Sequence, residues 1–357
     1  MSRDLPAHHA PGGLFRNPWP EAAGDDALRK RIWRVAWSWW REARPPDPPA
    51  GSFTLATPEP ARPMLDPDGP ERVRITWIGH ATVLVQLPGL NLLTDPVWSD
   101  RSSPVGFAGP HRFVPPPMAL EELPDIHGIL LSHDHYDHLD LPTVRALHRR
   151  FGEGLTWYVP LGYMGWFGAQ GISRVVELDW WGRASLFGGR FEAVCVPARH
   201  WTRRRPGGTN RRLWCGWVLL PRERMVPDAP KPAAVRGSAS PEGPRVWFAG
   251  DTGYCSAFAE IGQRVGPFDV SLIPIGAYEP RWFMGAAHVN PEEAVQAYRD
   301  AGGKGAFVGI HWGTWRLTFE DPLEPPVRAR AAWAAAGLPP ADLHIPRHGE
   351  TLELGGG

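Results

Sequence analysis

Residues 130–142 read LLSHDHYDHLDLP, which crowds three histidines and three aspartates into the span from His133 to Asp140. They follow an apolar run, Ile129, Leu130 and Leu131, that reads as a buried strand. Alternate residues leaving a strand point the same way, so His133 and His135 are set to grip one ion together. Asp137 and His138 then turn across to a second. Imidazole nitrogen and carboxylate oxygen suit zinc, with iron or manganese as alternatives. Two divalent ions need more ligands than one loop supplies, so further ligands are expected at later strand ends.

Such residues occur downstream. CVPARHW closes an apolar run at His200, VWFAGDTGY closes another at Asp251, and FVGIHWG a third at His311. A lone histidine at a strand end more often packs or caps, and a lone aspartate beside glycine often holds a turn. Together with the HxHxDH cluster they read as one set. His133, His135 and His200 take one ion, Asp137, His138 and His311 the other, and Asp251 bridges both. Asp95, ending the run LLTDP, is expected to accept a hydrogen bond from a ligating imidazole. Cys195 and Cys255 read as small core residues rather than ligands. His8, His9, His80, His111, His127, His148, His344 and His348 lack the pattern and are read as structural or solvated.

Strands must present these groups. VRITWIGH, TVLVQL and NLLTDP read as an antiparallel meander over 73–96, and IHGILLSH, LTWYVP, FEAVCVP, LWCGWVLLP, RVWFAGD, DVSLIPIG and GAFVGIH as further strands. Helices are expected over LPTVRALHRRF, 256–264, 291–301 and 326–336, with Asn290 capping the third and Glu293 near the capping-box position. Strands and helices in this order predict an α/β fold with two sheets face to face and helices outside, and 71–350 reads as one such domain. Residues 1–70 read as a proline-rich N-terminal arm enclosing one amphipathic helix, 25–43, with Trp33, Ala36, Trp37 and Trp40 on one face. That face suits either a membrane interface or the parent domain. Residues 227–244 read as a loop and 351–357 as a tail.

The 357-residue chain carries 38 basic and 38 acidic residues, so no strong field recruits nucleic acid. Three cysteines without CxxC spacing argue against a disulfide framework and for a reducing cytosol. No signal peptide or transmembrane stretch is evident. A cytoplasmic protein, peripheral on the membrane at most, is expected.

The HxHxDH set resembles the metallo-β-lactamase superfamily, whose fold is a four-layer αβ/βα sandwich with a metal cleft at one edge. The stretches VRITWIGHATVLVQLPGLNLLTDPVWSDRSSP, VVELDWW, RVWFAGDTGYCSAFAEIG, PFDVSLIPIGAYEPRWFMGAAHVNPEEAV and GIHWGTWRLTFEDPLEPP narrow this further. With FRNPWP early and PRHGE late, they resemble the N-acyl-phosphatidylethanolamine-hydrolysing phospholipase D family over residues 14–350. The resemblance implies two Zn2+ on the residues already deduced, a phospholipid substrate and a membrane-peripheral homodimer. It also implies cleavage of a phosphodiester to phosphatidic acid and N-acylethanolamine, with Tyr136 and His288 contacting substrate. Attack by a metal-bridging hydroxide is the expected mechanism, with Asp251, Tyr136 and His288 in the catalytic set. Arg203 stands where the family has a lysine and is expected to bind substrate. Ala287 replaces a glutamine before the active-site histidine, and Asp134 replaces an asparagine, where it is expected beside the ligands or in solvent. The alternative function is a binuclear metallo-hydrolase of another phosphodiester or of a lactone. A non-enzymatic protein with a vestigial site is disfavoured by the intact ligand set.

Overall fold

The computed structural model describes residues 5–22, 24, 45–58, 65–66, 72–222 and 243–355. The helix read over 25–43 and residues 227–242 of the loop lie outside the described residues. A small N-terminal hairpin pairs β1 (His9–Ala10) with β2 (Leu14–Phe15). The first large sheet contains β3 (Val73–Gly79), β4 (Thr82–Leu87), β5 (Leu90–Thr94), β6 (Gly128–Leu130), β7 (Thr156–Pro160) and β8 (Val175–Leu178). The second contains β9 (Arg183–Ser185), β10 (Phe191–Val196), β11 (Gly216–Pro221), β12 (Val246–Phe248), β13 (Val270–Pro274), β14 (Ala306–Ile310) and β15 (Leu343–His344). A last strand, β16 (Thr351–Leu354), returns to the first sheet beside β3, so each sheet has seven strands. Residues 351–354, read above as the start of a tail, are therefore an edge strand.

Each sheet is mixed. The meander β3–β4–β5 is antiparallel as expected, and β5 to β8 run parallel. In the second sheet β9 to β12 are antiparallel and β12 to β15 parallel. The pleat sorts the side chains. Val73, Ile75 and Trp77 of β3 meet Trp217 and Leu219 of β11 in a core between the sheets. Alternate residues such as Leu84, Val194 and Phe307 face outward. Helices cover those outer faces: α1 (Leu141–Phe151) and α2 (Met164–Gly168) on the first sheet, and α3 (Ala257–Val265), α5 (Pro291–Asp300) and α6 (Glu324–Ala335) on the second. Between them in sequence lies the short α4 (Arg281–Met284). The result is a four-layer αβ/βα sandwich, the α/β arrangement read from the strand and helix order.

The expected cap of α5 forms: the Asn290 side chain accepts from Glu293 N at 2.8 Å, and Glu293 Oε2 accepts from Asn290 N at 3.2 Å. Such a box satisfies donors that the first helical turn leaves open. Cys195 and Cys255 are buried in two of the three apolar clusters, as core residues. Described parts of the proline-rich arm lie along loops of both sheets: Arg316 Nη2, after β14, donates to the Pro46 carbonyl, and Phe53 stacks on Phe113, between β5 and β6.

Candidate metal centre

One edge of the sandwich collects the C-terminal strand ends. β5 delivers Asp95, β6 the loop His133–His138, β10 His200, β12 Asp251 and β14 His311. Ligand atoms of His133, His135 and His200 lie within 4.8 Å of one another, and so do those of His80, Asp137, His138 and His311. Asp251 stands between the groups. Its Oδ1 lies 3.0 Å from His311 Nε2, and its Oδ2 lies 3.1 Å from His138 Nε2, 3.7 Å from His133 Nε2 and 3.9 Å from His200 Nε2.

The outer hydrogen bonds decide which face of each imidazole is bare. His200 Nδ1 lies 2.9 Å from the Ala287 carbonyl, an acceptor only, so it donates and the neutral ring leaves Nε2 unprotonated. His138 Nδ1 donates to Asp95 Oδ2 at 2.7 Å. Ser132 Oγ donates its single hydrogen to Asp95 Oδ2 at 2.5 Å, so it accepts from His133 Nδ1 at 2.9 Å. His133 and His200 therefore turn bare Nε2 atoms toward His135 Nδ1, at 2.9 and 3.2 Å. Burial holds both rings well below the usual histidine range, and so neutral at pH 7. Converging lone pairs beside a buried carboxylate fit a cation. The buried Asp251 Oδ1 and His311 Nδ1 also lack hydrogen-bond partners among the described residues. Burial pushes His138 down, but Asp251, Asp137 and Asp95 outweigh it and hold the ring well above its ordinary value. A proton there occupies a place that a metal ion would take, and this donor set suits divalent ions of the zinc or iron type.

Asp95 accepts a hydrogen bond from His138, one of the proposed ligands. Besides His138 and the Ser132 hydroxyl, it accepts Ser132 N at 2.7 Å, which locks the strand end that carries the HxHxDH loop. Asp95→Ala leaves the buried His138 Nδ1–H without an acceptor. Metal affinity should fall about 10- to 100-fold. Stability should fall by about 3–5 kcal/mol, the cost of breaking a buried pair from one side. Metal titration and urea unfolding would read the two effects.

His80, read above as structural or solvated, lies within the ligand cluster. Its Nε2 donates to Asp137 Oδ2 at 2.9 Å, and its ring lies 3.7 Å from that of His311. It holds one proposed ligand as Asp95 holds another. His80, Asp95 and His311 all adopt left-handed backbone, with φ of 53°, 34° and 63°. Each such residue costs about 1–3 kcal/mol, and this clustering is what a preorganised site requires. Gly250 carries the same geometry (φ 63°) ahead of Asp251, where a Cβ would sit 2.7 Å from the Cys215 carbonyl.

Other candidates fall as follows. His288 is buried, with Nδ1 3.9 Å from Asp251 Oδ2. Tyr136 points its hydroxyl at the Arg204 carbonyl, 2.8 Å away, and its ring lies under the Arg204 guanidinium. Arg203 is exposed, its guanidinium 5.5 Å from the Trp201 ring centre. Arg204 is the member of that run that reaches the metal loop, donating to the carbonyls of Asp134 and Leu139 at 3.0 and 2.6 Å. Asp134 is buried and paired with Arg212 at 2.8 Å, so it is held in the loop's own scaffold and out of solvent. Asp140, the last aspartate of the loop, caps α1 through Thr143.

A cleft of about 690 Å³ opens onto this centre, bounded by His135, Asp137 and His288. Trp201, Phe283, Met284 and Leu317 give it a mainly apolar wall, with Arg203, Arg204 and Arg205 at one side.

Residues 90–312 match the beta-lactamase superfamily domain. The chain is 44% identical over 260 residues to N-acyl-phosphatidylethanolamine-hydrolyzing phospholipase D 1 of Caenorhabditis elegans, covering 70% of this chain and 67% of that one. This chain belongs to the N-acyl-phosphatidylethanolamine-hydrolysing phospholipase D family, within the beta-lactamase superfamily. A mitochondrial protein of the same description from Saccharomyces cerevisiae is 32% identical over 254 residues, covering 70% of this chain and 49% of its own length. Among solved structures, a metallo hydrolase from Ignicoccus hospitalis superposes with a TM-score of 0.56 at 19% identity, over 79% of this chain and 98% of that one. That likeness shows a shared fold, which the family match identifies as that of the beta-lactamase superfamily. Family membership makes the chain a metal-dependent hydrolase of the phospholipase D type. Among the described residues no helix is long and apolar enough to cross a membrane.

Proposed function

We propose that the protein hydrolyses N-acyl-phosphatidylethanolamine-like phospholipids to N-acylethanolamine and phosphatidic acid. The observation that carries the reading is a largely apolar cleft opening directly onto the histidine and aspartate cluster. A small polar substrate gains little from Trp201, Phe283, Met284 and Leu317, whereas acyl chains bury their surface there. Membrane attachment is part of the same reading, since the substrate resides in a bilayer.

His133, His135 and His200 would hold one zinc ion and Asp137, His138 and His311 a second, with Asp251 shared. Bound divalent ions supply an ionised water at neutral pH and positive charge against the phosphoryl oxygens. The chain's own residues do the rest. The apolar wall orients the lipid so that its phosphate meets the buried end of the cleft. Arg203 and Arg205 offer positive charge to the anionic phosphate from the cleft side. His288 reaches the same end with Nδ1 unpartnered among the described residues, ready to hydrogen-bond a phosphoryl oxygen or the departing ethanolamine oxygen. Tyr136 reaches it only after releasing the Arg204 carbonyl.

Purified protein incubated with N-acyl-phosphatidylethanolamine in detergent, and followed by mass spectrometry, tests the assignment. N-acylethanolamine and phosphatidic acid should both appear, and both should vanish with a chelator or in His135→Ala. Absence of product from metal-replete protein would reject the lipid substrate while leaving a metallo-hydrolase.

A further inference from the structure

The FRNPWP stretch has no role in the chemistry described so far, yet its asparagine touches the metal centre. The arm is anchored at its start, where His8 Nε2 and His9 Nε2 bond the two carboxylate oxygens of Asp179 at 2.6 and 2.8 Å. The His8 ring stacks on Trp180, and Phe15 enters the core between the sheets. The chain then runs past the strand-end loops that carry His200 and Asp251. Asn17 Nδ2 donates to the His200 carbonyl at 3.0 Å. Four residues on, Glu21 Oε1 accepts Ser256 N at 2.6 Å, and the Glu21 carbonyl accepts Arg199 Nη2 at 2.6 Å. Those two loops are also tied directly, by Arg199 N to Thr252 Oγ1 at 3.0 Å and Gly253 N to the Arg199 carbonyl at 2.8 Å.

His200 lies beyond the end of β10 at Val196, outside the ladder that fixes the strand. Its ring is aimed by the Ala287 carbonyl, and its backbone by the Asn17 amide. Pro18 restricts the backbone of Asn17 to extended conformations, which narrows the directions its side chain can take. The His200 residue is completely buried, and an unpaired buried carbonyl is costly.

We propose that Asn17 is a positioning residue for His200, which makes the N-terminal arm a working part of the metal centre. The inference rests on the reading of His200 as a metal ligand. Asn17→Asp keeps the shape but turns the donor into an acceptor facing a carbonyl, and Asn17→Ala removes the donor without repulsion.

The test is cobalt titration of metal-free full-length protein, followed by visible absorption, with the melting temperature of each metal-free variant as the folding control. In Asn17→Asp, one cobalt-binding phase should weaken about 10- to 100-fold and its absorption band should shift, as outer hydrogen bonds tune bound metals. The other phase should stay as in the unsubstituted protein. Asn17→Ala serves where the aspartate variant fails to fold. His200→Ala separates the two readings, since it should abolish the phase that Asn17→Asp weakens. Unaltered cobalt binding in His200→Ala would remove the ligand reading itself. Loss in His200→Ala with unchanged affinity and spectrum in both Asn17 variants would overturn the role of Asn17, and a lowered melting temperature alone would assign it to stability.

Discussion

Asp251→Asn should lose at least about a hundredfold in activity, beyond the 10- to 100-fold typical of outer-shell substitutions, and should retain less metal per chain. The carboxylate faces His138 and His133 from one oxygen and His311 from the other, so it touches both ligand groups. An amide of the same shape keeps the packing but removes the negative charge between the groups. Elemental analysis after dialysis, paired with the lipid assay, measures both effects. Wild-type metal content in this variant would show that Asp251 is dispensable for holding the ions.

His288→Ala should behave oppositely: metal content unchanged, kcat lower by about 10²- to 10³-fold, as for loss of one hydrogen-bond donor to developing charge. Its pH behaviour is also specified. Burial, reinforced by His311 and only partly offset by Asp251, pushes His288 down to about 4. Bound cations would push it the same way. A histidine lowered this far is neutral throughout the physiological range and gains its proton only as pH falls through about 4. Its titration should therefore leave the pH profile above pH 6 untouched, and the residual activity of the variant should follow the wild-type profile there. Loss of a basic limb near pH 7 in His288→Ala would mean that the ring works as a cationic acid.

Much of this centre was legible because its chemistry is written locally. The HxHxDH loop needs only strand alternation to be read, and His200, Asp251 and His311 each end an apolar run. Asp95 followed from the same strand-end logic. His80 obeys it too, lying just after β3 in TWIGHAT, yet a single histidine closing VRITWIGH lacks the ligand pattern and reads as structural or solvated. Only the packing of β3 and β14 brings it against Asp137, with His311 N bonded to the His80 carbonyl at 2.9 Å. Strand ends on the same sheet edge are the signal that would have found it. β16 was missed for a related reason: TLEL is short and half exposed, and its partner β3 lies at the far end of the chain, pairing Thr351 with Thr76. β9 and β15 are shorter still and carry no period that could be read. The direction of Tyr136 and the division of work between Arg203 and Arg204 depend on tertiary contacts that spacing does not encode. The Asn17 contact to His200 spans the chain in the same way.

Hydrolysis of N-acyl-phosphatidylethanolamine in 18O-labelled water, with both products weighed by mass spectrometry, tests the central claim most directly. Attack at phosphorus breaks the bond to the ethanolamine oxygen, so the label should enter phosphatidic acid alone, and a chelator should stop its incorporation. Label in N-acylethanolamine, or a product set lacking phosphatidic acid, would contradict a phospholipase D-type phosphodiesterase built on this centre.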